Sequence, residues 1–96
     1  MDRKYVDYYK VIFKNLGRES QERMCIEEMS ELTKELCKRS RYAGTDKENE
    51  VCDNIIEELA DVLNCVEQLV YIYGEDKVEE VRKAKFKRFF DKYKFD

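Results

Sequence analysis

Gly17, Gly44 and Gly74 are the only glycines in a chain with no proline, and each follows a stretch whose apolar residues recur at helical spacing. Glycine readily takes the left-handed conformation that closes a helix. The spacing therefore predicts four helical segments, over 3–16, 20–42, 46–73 and 75–94, joined by short turns. Ser20 is the expected N-cap of the second. Thr45, with Glu48 three residues on, has the capping-box pattern at the head of the third. Nothing alternates with the period of two that a strand requires.

Advancing about 100° per residue gives every segment an apolar stripe to bury. The first carries Tyr5, Tyr9, Ile12, Phe13 and Leu16, and the second Cys25, Met29, Leu32 and Leu36. The third has a broad arc from Val51 through Ile55, Leu59, Val62 and Val66 to Val70, and the fourth offers Val78, Phe86, Phe89, Phe90 and Tyr93. The fold class is all-α: one domain over residues 1–96, an antiparallel four-helix bundle. So short a helical chain buries little area, which points to self-association into a larger helical bundle.

Charged residues make up 43% of the chain, a fraction that favours disorder unless the apolar residues are patterned, as they are here. A net charge of −3 lacks the basic footprint of a nucleic-acid binder. No apolar run approaches the roughly 20 residues that span a bilayer, and the start, MDRKYVDYYK, has no signal-peptide core. The expected location is cytoplasmic, with no membrane partner. Cys25, Cys37, Cys52 and Cys65 form no C-x-x-C pair and have no histidine to complete a mixed zinc site, so they read as reduced, small buried hydrophobes.

Two stretches place acids tightly among leucines and isoleucines: IEEMSELTKEL at 26–36 and IIEELADVL at 55–63. Glu28 and Glu31, and again Glu58 and Asp61, are spaced i, i+3, which sets like charges about 5–6 Å apart on one helix face. Either these are solvated flanks of two amphipathic helices, or they face one another across a hairpin. Converging carboxylates repel and need a cation. An oxygen-only set suits a hard divalent ion, and four acids suit more than one. Glu57 belongs to the solvated face, and Glu35 to a surface ladder.

Glu27-Glu28-x-x-Glu31, 26 intervening residues, then Glu58-x-x-Asp61 resembles the E-E-x-x-E…E-x-x-D pattern of the MazG-like all-α nucleoside-triphosphate pyrophosphohydrolases. The resemblance implies Mg²⁺-dependent hydrolysis of a (deoxy)nucleoside triphosphate to the monophosphate and pyrophosphate, with Mn²⁺ as a substitute ion. Glu28, Glu31, Glu58 and Asp61 match the family's metal-binding positions, and Glu27 matches the first glutamate, a candidate for orienting or activating water. In the basic run VRKAKFKRFFDKYK, Lys85-Phe86-x-Arg88 resembles the family's K-F-x-R element, whose cations contact the triphosphate. Arg41 is a further candidate phosphate contact. Tyr5, Tyr8 and Tyr9 either wall a base pocket or serve as core and dimer contacts. Two other readings share these features: a phosphoribosyl-ATP pyrophosphohydrolase, and a non-catalytic helical module that binds nucleotide, metal or a partner.

Overall fold

In the computed structural model, which describes residues 3–93, the chain forms three helices: α1 (Arg3–Arg41), α2 (Glu48–Tyr73) and α3 (Glu75–Tyr93). The first two predicted segments are one helix in name only. At Gly17 the backbone turns to φ 80°, ψ 166°, so α1 is two limbs meeting at a kink. That combination is open to glycine and strained for any residue with a Cβ. The helix resumes at once, so Ser20 lies inside it and caps nothing. The last residue of the predicted fourth segment, Lys94, lies outside the described residues.

The second limb of α1 and α2 form an antiparallel hairpin. At its closed end Thr45 Oγ1 donates to the Tyr42 carbonyl (2.7 Å) and accepts from Lys47 N–H (3.3 Å). Glu48 reaches past Thr45 to accept from Gly44 N–H (3.1 Å), and its other oxygen meets Arg39 (3.3 Å). The expected reciprocal cap is thus displaced by one residue, and α2 begins at Glu48 instead of residue 46. At the open end Gln21 Nε2 donates to Gln68 Oε1 (2.8 Å), and Tyr73 O–H donates to Glu22 (2.9 Å). These ties fix the register. The kink then lays the first limb against the far half of α2, where Tyr9 O–H donates to Glu67, and brings Arg3 to Glu75 at the head of α3 (3.2 Å).

What the hairpin buries departs from the apolar stripes. Gln21 and Glu35 are buried on α1 and Gln68 on α2, beside Cys25, Val51 and Cys65. Gln21, Glu28 and Glu35 recur every seven residues, as do Asn54, Asp61 and Gln68. A seven-residue repeat drifts only about 20° per heptad, so each set keeps to one line. Polar residues at these heptad positions thus share the seam with buried Cys25, Val51 and Cys65 and half-buried Leu32, Ile55, Val62 and Val66. Met29, Leu36, Leu59 and Leu63, expected in the core, are exposed, as are Leu16, Phe86, Phe89, Phe90 and Tyr93.

The molecule is open in consequence. Its radius of gyration is 16.7 Å, against about 12.5 Å for a compact domain of this length. The accessible surface is 7780 Å², where a monomer of this mass exposes about 5,900 Å². Helix α3 leaves α2 at Gly74, whose N–H caps the Val70 carbonyl (3.0 Å), and has no buried residue. Among the described residues no helix is long and apolar enough to cross a membrane.

Replacing Gly17 by alanine tests the kink. Its Cβ would meet nothing within 4 Å, so the cost is backbone strain of about 1–3 kcal/mol. Urea unfolding should show a loss of that order; an unchanged midpoint would mean that the first limb has no need of the bend.

Candidate metal centre

Glu28 on α1 meets Glu58 and Asp61 on α2 at the middle of the seam. One oxygen from each lies within 4.8 Å of the others. The spacing explains the meeting. Glu28 lies a heptad from Gln21, and Asp61 a heptad from Gln68, so the register set by the Gln21–Gln68 bond carries both acids into opposition. Glu58 sits one turn before Asp61 on the same side of α2.

No lysine or arginine among the described residues pairs with any of the three acids. Glu58 Oε2 is buried without a hydrogen-bond donor. Loss of water around that oxygen raises the Glu58 pKa above its ordinary value of 4.5, and repulsion from Glu28, Asp61, Glu31 and Glu35 raises it further. None of the groups acting on it is a cation. An uncompensated acid cluster with an orphaned oxygen is chemically matched to a hard divalent ion. Magnesium and calcium take oxygen donors only, and magnesium keeps sites for water or phosphate.

The remaining candidates fall into different places. Glu31 is exposed, about 60° around α1 from the line of Glu28, near enough to repel Glu58 but outside the three-acid group. Glu27 is exposed on the solvent side. Glu35, assigned to a surface ladder by sequence, is buried: Oε1 accepts from Lys38 (3.3 Å) while Oε2 has no partner. Arg41 packs beside Tyr42 with its guanidinium 6.0 Å from the ring centre, roughly 20 Å along α1 from Glu28. Lys85 and Arg88 are exposed on α3 with no ion-pair partner among the described residues. Lys85 lines an open cleft of about 350 Å³ with Arg82, Phe86 and Phe89.

Sequence reasoning missed the polar residues of the seam, Gln21, Gln68 and Glu35. The heptad recurrence 21–28–35 and 54–61–68 would have revealed them. Beside the acids, burial pushes the thiols of Cys25 and Cys65 up, Cys65 further through Cys25, Glu28 and Asp61. They remain neutral thiols, without the thiolate character of a nucleophile.

No family model, no curated protein and no solved structure matches the chain.

A raised carboxylate pKa carries a definite sign. The protonated Glu58 fits the fold better, so its contribution to stability is complete below pH 4.5 and fades as pH rises through the elevated folded value. In metal-free protein, Glu58→Gln should therefore match the parent's thermal midpoint near pH 4 and exceed it increasingly toward about pH 7. Equal midpoints across that range would show that Glu58 feels neither burial nor its neighbours.

Proposed function

We propose that this chain is a Mg²⁺-dependent nucleoside-triphosphate pyrophosphohydrolase of MazG-like type, cleaving the bridge between the α and β phosphates. The convergence of Glu28, Glu58 and Asp61 without a neutralising side chain carries the reading. Magnesium, or manganese in its place, supplies charge neutralisation at the phosphate oxygens and acidifies water. The chain's part is to hold that charge with Glu28, Glu58 and Asp61, and with Glu31 at the rim. Water adds to phosphorus, pyrophosphate leaves as the monophosphate forms, and a carboxylate takes the proton released. Glu27, exposed beside Glu28, is the proposed acceptor.

The active form is proposed to be a homodimer or homotetramer. The surface in excess of a compact monomer, about 1,900 Å², is of the size that stable subunit interfaces bury. Much of it is apolar: Leu36, Leu59 and Leu63 on the hairpin, Phe86, Phe89 and Phe90 on α3. Two hairpins packed on these faces make a four-helix bundle. Lys85 and Arg88 are placed in this reading as phosphate contacts, brought to the acids of one copy by α3 of another. Arg41 is kept as an outlying phosphate contact.

Asp61→Asn should abolish Mg²⁺-dependent pyrophosphate release while circular dichroism stays helical; unchanged turnover would remove the mechanism. A substrate panel that includes phosphoribosyl-ATP separates the two hydrolase readings, and absence of turnover on every triphosphate would leave a binding module. For the assembly, sedimentation equilibrium should give a dimer or tetramer that Leu59→Asp dissociates, whereas a monomeric parent would refute it.

A further inference from the structure

Between the first limb of α1 and α2 lies a cleft of about 340 Å³ lined by Tyr5, Tyr8, Tyr9, Ile12, Asn64 and Gln68. Three walls are aromatic, with Tyr5 and Tyr8 packed at 6.1 Å between ring centres. The polar wall is made of amides. Gln68 lines the cleft and is 6% exposed, and its carbonyl is engaged by Gln21 at 2.8 Å, which leaves its amide N–H groups uncommitted among the described residues. Behind it, Gln21 is 1% exposed and its Oε1 is buried with no donor. Asn64 is exposed and makes no hydrogen bond within the described chain.

We infer that this cleft holds the nucleobase of the triphosphate, stacked against the Tyr5–Tyr8 pair and held on its edge by Asn64 and Gln68. The inference rests on the reading of the carboxylates as the phosphate end of the site. Geometry links the two. Asn64 is one turn from Asp61, and Gln68 two turns, about 10.5 Å along α2 and within about 20° of it in projection. A sugar and its phosphate chain run from the cleft to the acids along one face of one helix. Rings give stacking that accepts any base, and amides give hydrogen bonds that require one. Reversing both amides lets Gln68 donate to the Gln21 oxygen and leaves a Gln21 N–H unpaired in its place, so the pair can be held in either sense and Gln68 can offer a donor or an acceptor. The cleft thereby distinguishes a nucleoside triphosphate from an inorganic polyphosphate, which the acids alone do not.

Calorimetry with two probes in Mg²⁺ tests this: inorganic tripolyphosphate, and a nucleoside triphosphate carrying a methylene in place of the α–β bridging oxygen. The parent should bind the nucleotide about tenfold or more tighter than tripolyphosphate. Tyr8→Ala, Asn64→Ala and Gln68→Leu should each weaken the nucleotide by about fivefold or more and leave tripolyphosphate unchanged. Tyr8 and Asn64 are exposed, so these two variants stand as the test should Gln68→Leu unfold. Equal affinity of the parent for both probes, or an equal loss of both in the variants, overturns the inference while the carboxylate site survives. Nucleotide binding without tripolyphosphate binding overturns the carboxylate reading instead, and failure of both probes overturns the two together.

Discussion

The architecture depends on the polar contact between the second limb of α1 and α2. A hairpin of two amphipathic helices ordinarily joins along its apolar stripes, which gives hydrophobic burial and leaves acids in water. Here the joining line runs through Gln21 and Gln68, Cys25 and Cys65, Glu28 and Asp61. The amide pair is satisfied across the gap in one direction; among the three acids Glu58 Oε2 is buried without a donor, while Glu28 is half-buried and Asp61 exposed. Buried polar groups that lack partners are costly, and like charges in a desolvated seam more so. Charge of the opposite sign held among these acids is what the proposed function supplies.

The same arrangement accounts for the openness of the molecule. Leucines and phenylalanines that the hairpin does not cover face outward. Helix α3 shows this most plainly: Phe89 packs against Phe90 and Tyr93 at 5.6 and 4.6 Å between ring centres, yet no α3 side chain is buried. The first limb of α1 is the exception, because the Gly17 bend returns it to α2 and buries Val6 and Tyr9.

Much of this was legible in the amino-acid order. All three glycines sit at positive φ where a helix was expected to break or end. The meeting of Glu28 with Glu58 and Asp61 followed from i, i+3 spacing on the two arms of a hairpin. The exclusion of Glu31 and the burial of Glu35 did not follow, because they depend on the exact rotation of α1 about its axis. An apolar-period wheel centred on Met29 and Leu32 sets that rotation differently from the heptad line of Gln21, Glu28 and Glu35. Hydrophobic periodicity tells which residues avoid water. It is silent on whether the surface that covers them belongs to the same chain, and for Leu36, Leu59 and Leu63 the hairpin does not provide it.

The outward apolar faces have a consequence for the protein in a cell. A chain that cannot cover its leucines alone gains stability by mass action, since whatever binds the folded form alone shifts the balance toward it. Where the proposed assembly covers those faces, persistence depends on how many copies are made as well as on how each one folds. Scarce copies would be open to proteolysis and abundant ones protected, so expression level itself would set a threshold for the presence of working protein.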